Sequence, residues 1–298
     1  MSNGILILNK PKNITSHDAV ARVRRLYGTK QVGHTGTLDP MATGVMCILV
    51  GRAVKASEYA VNNNKSYIAG LKLGTTTDTG DITGKILSQT KNLPSEKEVI
   101  SAVSLFKGEI MQTPPMYSAI KIAGEKLCDL ARKGITVKRE ARPIKIFDIS
   151  CSPAALENGE YTLTVSCSKG TYIRSLCEDI GTKLGCGGTM SSLCRTSCGG
   201  FSLSDSHTLE ELEALSEEER DSILIDTEML FSDNKIIKLP DFFAKLALAG
   251  NEIYLKKIGQ QLNEGELVRL YDDSFFSLGE VRNFPLGLAI KPVKKFRI

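Results

Sequence analysis

No apolar run in the 298 residues approaches the ~20 that a membrane-spanning helix needs, so none is expected. Residues 1–8 lack a basic stretch and pass directly into the strand-like Gly4-Ile5-Leu6-Ile7-Leu8. That argues against a signal peptide and for a cytoplasmic location. Histidine is scarce: His17, His34 and His207 are too dispersed for a histidine-built metal site. H-E-x-x-H and G-x-S-x-G are missing, and no G-x-G-x-x-G follows a strand. Gly80-Asp81-Ile82-Thr83-Gly84-Lys85 only superficially looks like a phosphate loop, because its glycine spacing is short and Ile86 stands where Ser or Thr is needed. No C-x-x-C occurs either. The eight cysteines (47, 128, 151, 167, 177, 186, 194 and 198) are irregularly spaced, so they are expected as free thiols packing like small hydrophobes rather than as disulfides or zinc ligands.

What is present begins with size and charge. The length makes two domains the natural expectation, and 42% hydrophobic residues suffice for a sizeable core. The net charge of +4 hides an asymmetry: residues 205–232 carry ten acids against the single base Arg220, while residues 1–204 and 233–298 are both net basic. Two basic modules joined by an acidic one fit a polyanionic partner. A solvated face accounts for a charge run of this size equally well.

The densest chemistry lies in Gly33-His34-Thr35-Gly36-Thr37-Leu38-Asp39-Pro40-Met41-Ala42-Thr43-Gly44, followed by the strand-like Val45-Met46-Cys47-Ile48-Leu49-Val50. The glycines require a tight turn or allow close approach of another molecule. Asp39 is the only acid between Asp18 and Glu58, with Lys30, Arg52 and Lys55 around it in sequence. Asp-Pro is also an ordinary way to begin a turn or helix. On these residues alone Asp39 is either a structural cap or counter-ion, or a reactive group.

Periodicity predicts a strand over 4–8, then a helix capped by Thr15 or Ser16 and running to about Tyr27, with Arg22, Arg24 and Arg25 outward. Ala53–Val61 reads as helical and Lys65–Leu73 as an alternating strand starting near Tyr67. Thr75–Gly84 reads as a polar loop, Ser95–Lys107 as a helix, and 114–142 as an insertion: a Pro-Pro turn, a short helix ending at Gly134 and, ahead of Arg142, the six bases Lys121, Lys126, Arg132, Lys133, Lys138 and Arg139. Ile144–Cys151 and Tyr161–Ser168 read as antiparallel strands joined by the Glu157-Asn158-Gly159 turn. Thr171–Leu184 is an amphipathic helix carrying Arg174 in its first turn, and Gly187–Leu203 a returning strand. One or two helices are expected in 205–232. Short β-like runs at Ile253–Leu255, Glu266–Leu270, Phe275–Val281 and Leu288–Ile290 suggest a small barrel.

The stretch around Asp39 resembles the catalytic motif of the TruB family of tRNA pseudouridine-55 synthases. Further blocks carry the same likeness: Asn9-Lys10-Pro11 with Thr15-Ser16-His17-Asp18, Lys65-Ser66-Tyr67, Leu73–Asp81, Pro114–Ala119, Lys169–Arg174, and Leu193, Arg195, Thr196 and Phe201. Asn13 stands where the family has glycine, and Cys194 where it commonly has arginine, which puts one phosphate contact in doubt. The resemblance implies an α+β pseudouridine-synthase fold, a mixed and mainly antiparallel sheet flanked by helices. It divides the chain into a catalytic domain over 1–204, an acidic helical connector over 205–232 and a PUA-like RNA-binding β-barrel over 233–298. The insertion 114–142 matches a mobile RNA-clamping thumb.

By the same resemblance Asp39 is the catalytic carboxylate, Arg174 the guanidinium that keeps it ionised by lowering its pKa, and Tyr67 the ring under the uracil. Leu193 walls the other side of the base and His34 wedges into the space left by a flipped base. Lys10, Thr37, Asp81, Arg132 and Arg142 are the remaining substrate or RNA contacts. The implied reaction isomerises uridine to pseudouridine at position 55 in the T-loop of tRNA, with no cofactor and no metal, by a monomer that binds the T stem-loop and no membrane. Two rivals stand beside it: a non-catalytic RNA-binding or RNA-folding protein on the same scaffold, and a catalytic subunit working inside a guide-RNA complex.

Overall fold

A computed structural model describes residues 2–60, 64–122, 124–155 and 158–297. The chain opens on β1 (Gly4–Lys10), apolar and almost wholly buried. Asn13 adopts φ +69° in the following turn, a conformation that asparagine tolerates better than most residues. α1 (Ser16–Leu26) starts at a capping box in which Thr15 accepts the Asp18 N–H and Asp18 accepts the Thr15 N–H, and it buries Ala19, Val20 and Val23. β2 (Val32–His34) and β3 (Thr43–Val50) flank the glycine-rich stretch.

The helix expected over 53–61 is a 3-10 turn, Gly51–Ala56, continued by α2 (Ser57–Ala60); its end at Val61 lies outside the described residues. β4 (Lys65–Leu73) follows with Tyr67, Ala69, Leu71 and Leu73 buried. The expected polar loop after it contains a short ladder, β5 (Thr75–Thr77) with β6 (Ile86–Gln89), around residues 78–85. α3 (Glu96–Ser104) is capped by Ser95.

β7 (Gly108–Gln112) leads into the insertion, where β8 (Lys121–Ile122) and β9 (Glu125–Lys126) precede α4 (Leu127–Arg132). β10 (Arg142–Ala155) and β11 (Glu160–Cys167) pair antiparallel as expected, and Glu157 of the turn between them is outside the described residues. α5 (Ile173–Lys183), β12 (Gly188–Cys198) and β13 (Phe201–Ser202) come next.

One sheet carries these strands in the order β1-β3-β12-β4-β11-β10-β7, with β2 on β3 and β13 on β12. Its ladders are antiparallel except the short parallel contact of β12 with β3, Cys194 opposite Thr43 and Arg195 opposite Gly44. That contact sets the start of β3, and with it Asp39, beside the middle of β12. The main core packs α1, α3 and α5 on this sheet through Val20, Val23, Val99, Val103, Leu176 and Ile180.

The acidic stretch forms α6 (Leu209–Ala214) and α7 (Glu217–Ser222), each begun by a capping box. Beyond it β14 (Lys235–Lys238), α8 (Asp241–Leu248), β15 (Ile253–Tyr254), α9 (Leu255–Ile258), β16 (Leu267–Tyr271), β17 (Phe275–Phe284) and β18 (Gly287–Lys295) build a second sheet, ordered β14-β16-β17-β18-β15. Its edge strands β14 and β15 share no ladder among the described residues, so the expected barrel is a five-stranded sheet open along one side. β14 and the two helices are absent from the sequence-based expectation. Ala56, Phe231, Leu278 and Phe296 pack together with Tyr59 and Phe275, joining this sheet to the 3-10 turn after β3.

Gly44 permits the parallel contact: at φ +103°, a Cβ there would stand 2.2 Å from the Arg195 carbonyl oxygen. Gly28 also has positive φ, +58°, with open space around it. Gly44→Ala is therefore expected to destabilise the chain by more than about 2 kcal/mol, and Gly28→Ala by about 1 kcal/mol. Urea unfolding midpoints check both; equal effects contradict the packing argument.

Candidate active site

The loop that presents Asp39 is held from three sides by backbone contacts. Ser16, buried at the start of α1, accepts the Leu38 N–H at 2.8 Å and donates to the Leu38 carbonyl at 2.9 Å. From β1, Lys10 donates to the carbonyls of Pro11 and Ile14, both at 2.8 Å, and of Pro40 at 3.4 Å. From β12, Arg195 donates Nε to Val45 O at 2.6 Å, Nη2 to Gly36 O at 3.1 Å and Nη1 to Thr37 O at 3.4 Å. Leu38, Met41 and Ala42 fill the core beneath.

Lys10 and Arg195 are both buried cations whose donors go to carbonyls. Losing any of these partners would strand a charge away from water. Lys10 was expected as a substrate or RNA contact; it is fully buried, and burial pushes its pKa down to about 8 against the opposing charge of Asp39. Its place is under the loop.

Arg174 meets Asp39 at two points, Nε to Oδ2 at 3.0 Å and Nη2 to Oδ1 at 3.3 Å. The geometry is the fork-on-carboxylate arrangement that fixes orientation as well as charge. The remaining donors are used too: Nη2 to Tyr117 O at 2.7 Å and Nη1 to Thr79 O at 3.1 Å. Asp81 Oδ2 stands 3.9 Å from Nη1, while its Oδ1 accepts from Thr79 Oγ1 at 3.1 Å and the Thr83 N–H at 3.0 Å. Asp81, expected as a substrate or RNA contact, is buried beside Arg174.

The helix carrying Arg174 begins without a side-chain cap. Gln112 at the end of β7 fills that role, donating to Tyr172 O at 3.0 Å and accepting the Tyr172 N–H at 2.8 Å. Ser175 adds a bond to Thr113 O at 3.1 Å.

Burial pushes the Asp39 carboxyl above its ordinary value; the Arg174 charge opposes this, and Asp81 adds to the rise. Arg174 lowers the Asp39 pKa as expected, by its charge and its hydrogen bond, but burial outweighs it and the net shift is upward, although 32% of the side chain reaches solvent. Tyr67 lies on β4 opposite Arg195, with its hydroxyl pushed up to about 12 by burial. Leu193, two residues before Arg195 on the same face of β12, is also buried and opposes Ala69. Arg195 therefore touches the Asp39 loop at one end and the neighbourhood of Tyr67 at the other.

His34 is half-buried, its ring edge-on to His17 at 6.2 Å, and its Nδ1 is buried with no hydrogen-bond partner. Burial lowers its pKa, and the charges of His17 and Arg195 push the same way, which keeps the ring neutral. Thr37 is exposed at the loop tip. Arg132 and Arg142 are exposed on the insertion and at the start of β10; Arg132 pairs with Asp129 at 3.4 Å, and neither bonds to the Asp39 group.

The structure supplies two residues whose roles the sequence reading missed. Ser16 was read as a candidate cap and as part of a motif, without its bonds to Leu38. Arg195 was read only as part of a motif, although an arginine two positions from a buried leucine on one strand is a sign of an inward-facing charge. Among the described residues no group of three or more His, Cys, Asp or Glu side chains is placed to hold a metal.

Removing the cation should raise the Asp39 pKa further. In Arg174→Gln, carboxyl-carbon NMR titration should show Asp39 protonating at higher pH than in the parent, which itself titrates above an ordinary aspartate. Because the folded-state pKa is raised, the stability tied to the neutral carboxyl is present below the unfolded value and is lost as pH rises through the folded one.

The model of the TruB family pseudouridylate synthase N-terminal domain matches residues 24–173, and that of the tRNA pseudouridylate synthase B C-terminal domain matches 174–240. The tRNA pseudouridine synthase B of Clostridium tetani is 45% identical, covering 93% of this chain and 95% of that protein. The one from Clostridioides difficile is 41% identical over 99% of each. A chain of a crystal structure of a Cbf5-Nop10-Gar1 complex superposes with a TM-score of 0.75 at 25% identity, covering 98% of this chain and 84% of that one. With an α+β pseudouridine-synthase fold and both family models matched in order along it, this chain belongs to the TruB family of pseudouridylate synthases.

Proposed function

We propose that this chain isomerises uridine to pseudouridine in tRNA, at position 55 of the T-loop. The observation that carries the reading is the two-point contact of Arg174 with Asp39 on a loop held from three sides, in a member of this family. The reaction breaks the bond between ribose C1′ and uracil N1 and forms one between C1′ and C5; the proton leaving C5 is balanced by one gained at N1. It is redox-neutral and transfers nothing to another molecule, so it needs neither cofactor nor metal.

Asp39 in its ionised form acts on the ribose, either as nucleophile or as base. Arg174 orients the carboxylate and offsets the burial that favours its neutral form. Tyr67 and Leu193 hold the detached uracil between them while it turns. A base inside a folded RNA loop must first leave its stack, at a cost of a few kcal/mol, and the neutral ring of His34 takes the vacated place.

The insertion 114–142, with Arg132 and neighbouring Arg142, closes on the T stem-loop as a clamp, and Thr37 adds a contact at the loop tip. Residues 1–204 act as the catalytic domain, 205–232 as its acidic connector and 233–298 as a further RNA-binding domain. The working form is a cytoplasmic monomer that needs no guide RNA.

The test follows tritium released from C5-labelled uridine in an unmodified T stem-loop. The purified chain alone should release it, and Asp39→Asn should lose at least about a thousandfold in rate, the scale on which an enzyme's essential group is felt. Full release by Asp39→Asn transfers the chemistry to another residue, and no release by the parent without added RNA favours a guide-RNA subunit. Since Asp39 must be ionised and its pKa is raised, the acid limb of the rate profile should fall at higher pH than an ordinary aspartate gives, and higher still in Arg174→Lys.

A further inference from the structure

The helix that carries Arg174 is poorly equipped to start where it does. Tyr172 at its N-cap makes no side-chain capping bond, no acid stands in the first turn, and Arg174 itself places a cation there. A cation at that end opposes the helix dipole. What holds the turn comes from outside it, from residues 112–117, where β7 passes into the insertion. Gln112 grips the Tyr172 peptide through both its N–H and its carbonyl. Ser175 donates to the Thr113 carbonyl, and Arg174 to the Tyr117 carbonyl. Gln112 and Ser175 are only 2% and 4% exposed, so a bond lost there is not readily replaced by one to water.

A side-chain amide is the neutral group that can both give a hydrogen bond to a peptide carbonyl and take one from a peptide N–H. β7 lies at the edge of the sheet, with Glu109 and Met111 exposed, and strand alternation turns Gln112 to the inward side. Its aim matters because Arg174 has a choice of carboxylates. The charged and titratable groups facing Asp39 are Arg174 from α5, Asp81 from the loop between β5 and β6, Lys10 from β1 and Tyr172 from the helix start. Around the guanidinium stand Asp39 at 3.0 Å, Asp81 at 3.9 Å and, one turn along α5, Glu178, which also feels its charge. A small rotation of the first turn would exchange the two-point contact on Asp39 for a closer one on Asp81. Asp39 would then stay surrounded by protein with less of the cation that opposes its neutral form.

We propose that Gln112 is a positioning residue for the isomerisation: by fixing the Tyr172 peptide it aims Arg174 at Asp39 rather than at Asp81, and so keeps that acid in its ionised, working form. It makes no bond to Asp39 and acts wholly through the start of α5. The proposal rests on the reading of Asp39 and Arg174 as the pair that carries the reaction. Ser175, tied to the next residue of the same segment, gives the arrangement a second and weaker hold.

The experiment uses the full chain as Gln112→Met, which keeps the length of the side chain and removes both bonds, and as Ser175→Ala. Single-turnover rates on an unmodified T stem-loop are followed against pH, and the Asp39 carboxyl carbon of the free chain is titrated by NMR. In Gln112→Met the acid limb and the Asp39 titration should both move up by about half a pH unit or more, a loss of about threefold in rate on that limb. The loss should shrink as pH rises toward the plateau, with KM changed by less than about twofold. Ser175→Ala should show a smaller shift in the same direction. A merely structural role lowers the rate by one factor at every pH and leaves the titration in place; that result overturns the proposal. Should Gln112→Met fail to fold by circular dichroism, Ser175→Ala decides alone, and an unmoved limb and titration there overturn the proposal too. A parent that turns over no stem-loop sinks the tRNA reading instead, while the Asp39 titration of the free chain still decides the role of Gln112.

Discussion

The structure turns on a buried guanidinium set against a carboxylate whose burial raises its pKa above the ordinary value. Arg174 spends two of its contacts on Asp39 and the others on the carbonyls of Thr79 and Tyr117, with Asp81 close by. Each neighbour fixes the plane of the guanidinium, and that plane orients the acid. The charge balance is fine: one arginine faces two carboxylates, and burial of Asp39 outweighs the attraction. A carboxylate held in this way is more basic than one in water, which suits a group that must attack a sugar or take a proton from it.

Around that pair, the fold acts as a frame that stops the Asp39 loop from relaxing. A glycine-rich backbone has little stiffness of its own. Here Ser16 from a helix start, Lys10 from a strand end and Arg195 from a neighbouring strand replace it, all by bonds to main-chain groups. The parallel contact between β3 and β12 brings Arg195 to the loop, and Gly44 makes the contact sterically possible. Loop function on a rigid scaffold is a common arrangement. In this chain the scaffold reaches into the loop with two buried cations.

Much of this was legible in the residues. The alternation from Lys65 to Leu73 located β4 to the residue, and Thr15 with Asp18 announced the start of α1. Asp39 stood out as a lone acid in a basic setting, and motif likeness joined it to Arg174, a pairing that no local pattern contains. The misses have physical causes. Lys10 entered only as a substrate or RNA contact implied by the resemblance, and only the tertiary arrangement of three carbonyls lets it lie inside. Asp81 sits in a polar, loop-like stretch, yet a parallel bridge to Met190 and bonds from Thr79 and Thr83 bury it. The helix α8, Asp241–Leu248, is a short apolar run whose period is ambiguous between helix and strand. The sign of the Asp39 shift was beyond reach because it depends on how much protein surrounds the acid, which no pattern of neighbours along the chain records.

The most direct measurement is a structure of the chain with an unmodified T stem-loop bound. The account predicts one uridine out of its stack, its ribose C1′ within about 3.5 Å of an Asp39 oxygen, its base between Tyr67 and Leu193, and Arg174 still on both carboxylate oxygens. A uridine left stacked in the loop, or a ribose seated beside Asp81 with Asp39 turned away, would contradict it.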